Sequence, residues 1–315
     1  LGSEGLMVAL KDMPIEELRA PGHRMCAGCG PAIVSRLTLK STRGPLAITT
    51  STGCLEVGTT IYPYTAWRVP WIHSAFENAA ATASGIEAGY KSIARRGGWS
   101  GKVDVIALSG DGGTFDIGIQ ALSGALERGH DFVYICYDNE AYMNTGIQRS
   151  GATPRGASTT TSPAGSKIPG KREWKKDLVS ICVAHGIDYA ATASPAFVGD
   201  YVDKVKKAIE VDGPAVIHVL APCPLGWRSN PADTIKIARL AVQTLYFPLY
   251  EVEKGKYKLN VKVPKPLPVE EFLKIQGRFS HLFKPEFRVE LEVIQKGVND
   301  HWERILELCG ERKQG

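Results

Sequence analysis

The sequence predicts an α/β fold in which a mostly parallel sheet is flanked by helices. Short apolar runs alternate with stretches of helical periodicity between residues 103 and 220. The runs have the length of buried strands. The segments after three of them, residues 110–114, 138–146 and 221–227, contain the Gly, Asn and Pro residues that are typical of turns. With 43% apolar and 23% charged residues, the composition is ordinary for a soluble globular protein.

The elements of this series follow one another in the order expected of a parallel sheet. Residues 103–109 form an apolar run that ends in Gly-Asp-Gly, which predicts a buried strand followed by a turn. Apolar residues at near-helical spacing predict a helix over residues 116–128. The remaining predictions are a strand over 132–137, a helix over 178–185, a strand over 187–193, a helix over 197–209 and a strand over 215–220. In parallel sheets built this way, ligands bind at the carboxyl ends of the strands.

Two further segments lie outside this series. Residues 76–95 are rich in Ala and contain only two internal glycines, which predicts a tightly packed helix. Residues 149–171 are polar and rich in Gly, Ser, Thr and Pro, which predicts a long loop. Loops of that length often have a function or are ordered by a partner.

The composition changes near residue 246, where Lys, Glu and Pro become more frequent. A hairpin is predicted over residues 250–263 and a final helix over residues 288–309. We therefore divide the chain into an α/β domain, residues 1–246, and a C-terminal extension, residues 247–315. The extension is expected either to contact another subunit or to close the core of this chain.

Charge and hydropathy argue against several classes of function. The net charge of +5 is modest and no nucleic-acid-reading motif is present, so nucleic acid is not expected as a partner. No apolar run approaches the roughly 20 residues that a membrane helix needs, and residues 1–10 lack the basic flank of a signal peptide. A cytoplasmic protein is the expectation. Its seven cysteines then indicate metal or redox chemistry before disulfides.

The most informative motif follows the first predicted strand of the series and consists of Gly110, Asp111, Gly112 and Gly113. Asn139 follows the next strand, so Asp111 and Asn139 are expected at one edge of the sheet, with the carbonyl of Ala141 beside them. Hard oxygen ligands of this kind suit Mg²⁺, which usually shares them with phosphates. The glycines let the main chain approach a diphosphate at the start of a helix. This Gly-Asp-Gly, followed after 26 residues by Asn139, resembles the thiamine-diphosphate motif and therefore indicates that cofactor with Mg²⁺. The Gly-x-Gly-x-x-Gly pattern of the rival dinucleotide site does not occur after that strand.

A second constellation consists of four cysteines: Cys26, Cys29, Cys54 and Cys223. The first two form a Cys-x-x-Cys pair, which fits a zinc site, a redox dithiol or an iron–sulfur cluster. A zinc knuckle usually brings a second pair close by, whereas Cys54 and Cys223 are single and distant. Four thiolates that converge from separate loops fit a [4Fe–4S] cluster, while zinc and a structural role remain open alternatives. The other three cysteines are expected to be packing residues.

In combination, these motifs resemble those of the β subunits of pyruvate:ferredoxin oxidoreductases and their relatives. The resemblance covers most of residues 20–255 and rests on five segments. They are Met-Cys-Ala-Gly-Cys-Gly at 25–30, Trp-Ile-His-Ser-Ala-Phe-Glu-Asn at 71–78, Gly-Asp-Gly-Gly at 110–113, Tyr-Asp-Asn-Glu-Ala-Tyr-Met-Asn-Thr-Gly at 137–146 and Ala-Pro-Cys-Pro-Leu-Gly-Trp at 221–227. The resemblance implies a thiamine-diphosphate-binding fold, a [4Fe–4S] cluster on the four cysteines, and Mg²⁺ on Asp111, Asn139 and the carbonyl of Ala141.

The resemblance also implies which residues lie at the reacting end of the cofactor. Asn144 is expected to face the substrate and the reactive carbon, and it is the predicted catalytic residue. Thr145 and the cluster ligand Cys54 are expected to contact the cofactor as well. In this family the Glu that activates the aminopyrimidine ring comes from a partner chain, so the subunit is not expected to be active alone.

Several other titratable residues lie near these motifs. Glu56, Glu77 and Glu140 are candidates for the activating Glu, and none of them is assigned that role. His73 is a candidate proton shuttle, with packing as the more common alternative. His218 lies within an apolar strand and is expected in the core.

The reaction that the resemblance implies is oxidative decarboxylation of a 2-oxoacid, with electrons passed through the cluster to ferredoxin. In most members coenzyme A accepts the acyl group, and other subunits complete the complex. Pyruvate is the leading substrate, and oxalate, split to CO₂ without coenzyme A, is the alternative; branched-chain oxoacids and 2-oxoglutarate are less favoured. A non-redox thiamine enzyme with a structural zinc site is the alternative of another class. It explains Asp111 and Asn139 but leaves Cys54 and Cys223 unexplained.

Overall fold

An eight-stranded sheet forms the centre of the fold. The structure is a computed structural model that describes residue 11 and residues 13–311, so the prediction for residues 1–10 lies outside the described part. In chain order the strands are β1 (Leu46–Ser51), β2 (Trp71–Ser74), β3 (Asp104–Gly110), β4 (Val133–Asp138), β5 (Tyr189–Ala193), β6 (Ala215–Leu220), β7 (Tyr250–Glu253) and β8 (Lys256–Leu259). Across the sheet their order is β2-β1-β3-β4-β6-β5-β7-β8. All pairings among the first six are parallel, and only β7 and β8 pair antiparallel, which confirms the predicted fold class.

Helices cover both faces of this sheet. In chain order they are α1 (Gly30–Ser41), α2 (Cys54–Thr59), α3 (Ala79–Arg95), α4 (Ile119–Glu127), α5 (Leu178–Val183), α6 (Val198–Glu210), α7 (Pro224–Trp227), α8 (Thr234–Gln243), α9 (Glu270–Leu273) and α10 (Arg288–Leu308). Among the described residues, none of these helices combines the length and apolar character needed to cross a membrane.

Burial on both faces of the sheet explains why the central strands appear in the sequence as apolar runs. β4, β5 and β6 are buried along their whole length, as expected for parallel strands covered on both faces. Along β3 the side chains alternate: Ile106 and Leu108 join the cluster under α1 and α6, whereas Val105 and Ala107 join the cluster under α3, α4 and α5. The helices on opposite faces therefore pack on the same strands.

The loops that follow three adjacent strands lie at one edge of the sheet. β3, β4 and β6 are neighbours, and their last residues are in register, with Gly110 opposite Tyr137 and Asp138 opposite Leu220. The chain segments that follow these strands leave the sheet side by side. The residues predicted to bind the cofactor follow β3 and β4, and Cys223 follows β6.

The helix predicted over residues 116–128 is interrupted in the structure. A π-helical turn, Gly112–Asp116, comes first, and α4 begins only at Ile119. Gly118 separates the two, and a Cβ there would lie 2.1 Å from the carbonyl oxygen of Gly113. The wider turn brings the backbone of the Gly-rich motif into this close contact, which no apolar periodicity signals. Single π-helical turns of this kind are frequent at functional sites.

The Ala-rich helix is also shorter than predicted and is packed on one face only. It begins at Ala79 rather than at Phe76. The buried residues lie in its first nine positions, and its two glycines, Gly85 and Gly89, face open space. The prediction of a tightly packed helix was therefore wrong for the second half, where small residues lie on the protein surface.

The C-terminal residues join the sheet and the core of this chain. The predicted hairpin is confirmed as β7 and β8, joined at Lys254 and Gly255, both of which have positive φ as a two-residue hairpin turn requires. β7 pairs with β5, and Ile305 of α10 belongs to the cluster beneath the sheet. Contact of this segment with another subunit stays a prediction.

Candidate active site

Asp111 lies at the end of β3, where its carboxylate is held in a defined orientation. The residue is 1% exposed. Its Oδ2 accepts a hydrogen bond of 2.5 Å from the hydroxyl of Ser150, which is also buried. The other oxygen, Oδ1, faces Asn139. One carboxylate oxygen is therefore fixed by the long loop, and the second is directed toward the neighbouring strand end.

Asn139, Asp111 and Ala141 converge at this edge of the sheet. The side-chain amide of Asn139 lies 2.9 Å from Oδ1 of Asp111 and 2.9 Å from the carbonyl oxygen of Ala141. With its nitrogen turned toward them, the amide donates to both oxygens; with its oxygen turned toward them, the amide oxygen lies 2.9 Å from each of the other two. Neighbouring ligands of octahedral Mg²⁺, each about 2.1 Å from the metal, lie about 3 Å apart. The spacing of these groups fits a magnesium site.

The glycines of the motif are required by close contacts. A Cβ at Gly112 would lie 2.6 Å from the ring of Tyr142, and a Cβ at Gly113 would lie 2.7 Å from Oγ of Ser109. Contacts below 3 Å are not tolerated without displacement of the neighbour. The absence of side chains at both positions therefore keeps the backbone of this turn close to the Asp111 and Asn139 groups.

Two more carboxylates, Asp138 and Glu140, flank Asn139, and both are paired with positively charged side chains. Lys175 pairs with both of them. Glu140 also pairs with Arg278 at 2.5 Å, and Asp138 accepts or shares a hydrogen bond of 2.7 Å with the ring of His218. The sequence correctly placed His218 in the interior, but its partner was not predicted.

The carboxylates respond to their surroundings in opposite ways. Burial and the nearby charge of Asp138 hold the pKa of Asp111 well above its ordinary value. Burial also acts to raise the pKa of Asp138, but Lys175 and His218 outweigh it and lower that pKa. Asp111 is thus the carboxylate whose charge is least compensated by the protein, and a bound cation would compensate it.

The predicted substrate-facing residues lie at the mouth of this site. Asn144 and Thr145 are exposed, at the tip of a turn closed by two backbone hydrogen bonds between Tyr142 and Gln148. The cavity lined by Asp111, Asn139 and Ala141 is also lined by these two residues and by Cys54. The residues predicted to bind the cofactor therefore share one cavity with one of the predicted cluster ligands.

The four cysteines predicted to hold a cluster come from three separate segments, and Cys26 is exposed in the turn that leads to Cys29. Cys29 and Cys223 precede the first residues of α1 and α7, and Cys54 is the first residue of α2. Helix N-termini favour negative charge, so such positions suit thiolates. Gly30 joins two of these elements, because its N–H donates to the carbonyl of Pro222 at 3.0 Å.

Burial and mutual repulsion both act on these thiols. Burial raises the pKa of Cys29 to about 12 and that of Cys54 to about 11. The nearby thiols of Cys223, Cys54 and Cys26 raise the pKa of Cys29 further. Those of Cys223 and Cys26 do the same for the pKa of Cys54. Thiolates with such raised pKa values need a positive group to stabilise them, as iron or zinc does. The donor set therefore fits a metal centre.

A single metal ion has no closed set of ligands in the described part of the chain: no three His, Cys, Asp or Glu side chains there are grouped to hold one. A [4Fe–4S] cluster makes a different demand, since each of its four thiolates binds its own iron. The nature of the centre on the four cysteines remains a prediction.

The other candidates, His73, Glu56 and Glu140, are not among the residues that line this cavity. His73 is exposed, and its Nε2 lies 2.9 Å from the hydroxyl oxygen of Thr52. Glu56 is on α2, with its carboxylate 3.9 Å from the ring of His73. Glu140 is fully occupied by Lys175 and Arg278, so this Glu is not available to a cofactor ring.

Ser150, Lys175 and Arg278 are site residues that the sequence did not reveal. Ser150 and Lys175 belong to the long polar stretch after β4, and no motif marks them. Arg278 is far from Glu140 in the chain and reaches it only through the folding of the C-terminal segment. Their positions in the fold, rather than their neighbours in sequence, bring them to the site.

Comparison with known proteins agrees with this geometry. Residues 51–219 match the family described as thiamine pyrophosphate enzyme, C-terminal TPP binding domain. The chain is 58% identical to pyruvate synthase subunit PorB of Methanocaldococcus jannaschii, over 91% of this chain and 96% of that protein. It is 50% identical to pyruvate synthase subunit PorB of Thermotoga maritima, over 91% and 90%. It is also 48% identical to ketoisovalerate oxidoreductase subunit VorB of Pyrococcus abyssi, over 94% and 95%.

A solved structure shares the fold. The 2-oxoglutarate:ferredoxin oxidoreductase of Magnetococcus marinus matches with a TM-score of 0.54 and 20% identity, over 72% of this chain and 81% of that chain. This likeness concerns the fold alone, whereas the sequence identities to the named subunits establish kinship. The chain therefore belongs to the β subunits of the 2-oxoacid:ferredoxin oxidoreductases and is a thiamine-diphosphate-binding oxidoreductase subunit.

Proposed function

We propose that this chain is the thiamine-binding subunit of a cytoplasmic complex that oxidises pyruvate and coenzyme A to acetyl-CoA and CO₂, with ferredoxin as electron acceptor. The names of the relatives at 58% and 50% identity support pyruvate. The relative named for ketoisovalerate supports a branched-chain oxoacid as the second candidate. Oxalate is less favoured than both. Membership of an oxidoreductase family also argues against the non-redox thiamine alternative.

In this proposal Asp111, Asn139 and the carbonyl of Ala141 hold Mg²⁺, and the backbone at Gly110, Gly112 and Gly113 receives the diphosphate. Thiamine diphosphate, when bound, supplies a carbanion that attacks the keto carbon of the oxoacid. Asn144 orients the substrate by its amide, and Thr145 and Cys54 line the cofactor's reacting end.

Cys26, Cys29, Cys54 and Cys223 are proposed to hold a [4Fe–4S] cluster. Such a cluster, when bound, accepts electrons one at a time. The observation that carries the whole proposal is that Cys54 lines the same cavity as Asp111 and Asn139. An oxidation by single electrons needs its acceptor close to the reacting carbon, and the position of Cys54 in this cavity supports such an arrangement.

The two parts of the chain have different roles in this proposal. Residues 1–246 provide the cofactor and cluster ligands, and residues 247–315 are proposed to offer surface to another subunit. α10 has exposed apolar residues that fit such a role, namely Val289 at 70% and Leu308 at 40% exposure.

The reaction is tested by substrate-dependent reduction of a viologen dye with the anaerobically purified complex. Pyruvate, ketoisovalerate, 2-oxoglutarate and oxalate are compared, each with and without coenzyme A. Reduction by pyruvate that requires coenzyme A is expected. Reduction by ketoisovalerate in preference would select the second candidate, and reduction by oxalate alone would overturn the substrate assignment.

The cluster is tested by a Cys54→Ala variant, with Cys136→Ala as the matched control because Cys136 is buried within β4 and has no predicted ligand role. Iron and acid-labile sulfide are measured in both. We expect about four of each per chain in the parent and in the control, and a loss of iron with a retained fold in Cys54→Ala. Iron that is unchanged in Cys54→Ala would contradict the assignment.

A further inference from the structure

The two carboxylates beside Asn139 present an electrostatic problem for a cofactor site. The side chains of Asp138 and Glu140 are fully buried. Asp138 is close enough to Asp111 for its negative charge to act on the Asp111 carboxyl group. Three carboxylates in one buried region repel one another and would repel the diphosphate of a cofactor. Two cations enter the same region: Lys175 contacts Asp138 and Glu140, and Arg278 contacts Glu140. The two positive charges offset two of the three negative charges. The remaining negative charge, that of Asp111, is available to a metal ion.

The backbone at this point is in an unfavourable conformation and is held from several directions. Glu140 has φ +67, a left-handed conformation that costs energy for a residue other than Gly. Its N–H donates to Oδ1 of Asp138 at 2.9 Å, and its carbonyl accepts from the hydroxyl of Thr153 at 2.7 Å. The carbonyl of Asn139 accepts from the indole N–H of Trp227 at 2.7 Å. This conformation turns the Asn139 side chain toward Asp111 while its two neighbours point to Lys175.

Lys175 lies in a part of the loop after β4 whose neighbouring residues make tertiary contacts. The preceding residue, Trp174, covers Gly297 of α10, where a Cβ would lie 2.2 Å from the indole ring. The following residue, Lys176, donates to the carbonyl of Phe115 and pairs with Asp116. Both neighbours therefore fix the backbone from which Lys175 extends into the site.

We propose that Lys175 is a positioning residue of the cofactor site. By bridging Asp138 and Glu140 it neutralises both carboxylates and holds Asn139 in line with Asp111 and Ala141, so that a divalent cation and a diphosphate are accepted together. This inference rests on the proposed function, in which those three residues hold Mg²⁺. It assigns to the chain segment between β4 and α5 the task of forming the site before the cofactor arrives.

The test uses the complex purified with its partner subunits and depleted of cofactor. Thiamine diphosphate is titrated calorimetrically at saturating Mg²⁺ into the parent and into Lys175→Met, Lys175→Arg and the double variant Glu140→Gln/Lys175→Met. The double variant removes one carboxylate with the lysine and so restores the charge balance. Lys207→Met is the matched control, because Lys207 also bridges two carboxylates, Glu251 and Glu253, at another part of the sheet. Thermal unfolding without cofactor is measured in parallel.

We expect Lys175→Met to weaken binding by about 10- to 100-fold, as is usual when a residue that orients metal ligands is removed. Lys175→Arg and the double variant should recover most of that loss, and Lys207→Met should lower the unfolding temperature without changing affinity. Parent-like binding by Lys175→Met, or a double variant as weak as the single one, overturns the proposal. If Lys175→Met does not assemble, the affinity of the double variant decides between these results. A parent that binds no thiamine diphosphate would instead refute the proposed function.

Discussion

Ser150 determines which oxygen of Asp111 is available to a metal. Its hydroxyl donates to Oδ2 of Asp111, and Oγ of Ser150 itself accepts hydrogen bonds from the backbone N–H groups of Ala152 and Thr153 at 3.1 and 3.2 Å. Ser150 is thereby fixed by the turn in which it lies. A carboxylate that is oriented in this way loses less freedom when it binds a cation.

We therefore expect Ser150→Ala to weaken Mg²⁺ binding by about 10-fold, measured by titration of the metal at a fixed concentration of thiamine diphosphate. Ser123→Ala is the control, because the hydroxyl of Ser123 is likewise hydrogen-bonded to a side chain, the ring of His185, on another part of the fold. An equal loss in both variants would mean that the effect is a general one on folding.

The residues that were predictable differ from those that were not in one physical respect. Asp111 and Asn139 directly follow apolar strands, so their meeting at one edge follows from the sheet. Lys175 and Arg278 reach the site from a loop and from the C-terminal segment. Their contacts depend on where these segments pack, and sequence periodicity contains no information on that.

Glu251 gives the stability of the fold a predictable dependence on pH. Burial acts to raise its pKa, but hydrogen bonds from Lys207 and Asn260 outweigh burial and lower the pKa from 4.5 to about 2. Because the folded-state pKa is the lower one, the stabilisation is complete above the ordinary value and is lost as the pH falls toward 2. It amounts to at most about 3 kcal/mol, reduced by the screening of Lys207, which is partly exposed.

Glu251→Gln should accordingly flatten the loss of stability between pH 5 and 2, measured by guanidinium unfolding at each pH. Glu253→Gln removes a carboxylate that shares the same lysine but is 53% exposed, and it should leave the pH dependence nearly unchanged. A Glu251→Gln curve parallel to that of the parent would show that this pair contributes nothing.

Among the elements, buried strands were easier to predict than helices near the site. β3, β4, β5 and β6 are apolar because both of their faces are covered, whereas the edge strand β2 is partly exposed along its length and gives no such signal. The Gly-rich turn after β3 interrupts its helix because a close backbone contact, not periodicity, decides its shape.

α3 and α10 offer a comparison of two helical glycines. Gly89 faces open space, whereas Gly297 lies against Trp174. Replacing Gly by Ala in a helix stabilises it by about 1 kcal/mol where there is room. At position 297 the added methyl group displaces Trp174, which costs about 1–3 kcal/mol.

We expect Gly89→Ala to raise the guanidinium midpoint and Gly297→Ala to leave it unchanged or lower it. Hydrogen exchange of residues 171–176 should accelerate in Gly297→Ala only, because Trp174 anchors that part of the loop. Equal gains in stability would show that Trp174 moves aside at no cost and does not hold the loop in place.

For the molecule as a whole, the C-terminal segment is integral to the core. β7 extends the sheet beside β5, and Leu291, Ile294 and Val298 of α10 are part of a third apolar cluster. The composition shift near residue 246 suggested an extension, but the structure places the following strands within the same sheet. Composition reflects the more polar outer surface of these elements and not their inner face.

Variants at two residues one turn apart on α10 test separately whether this helix packs in the core and whether it contacts another subunit. Ile305 is 1% exposed, while Leu308 is 40% exposed. Ile305→Ala removes buried apolar volume and should lower the free energy of unfolding of the chain by about 2–4 kcal/mol. Leu308→Ala should leave that stability nearly unchanged but weaken association with the partner subunits, measured by analytical ultracentrifugation of the complex. Unaltered association would mean that this face of the helix does not contact a partner, and unaltered stability in Ile305→Ala would mean that α10 does not close the core.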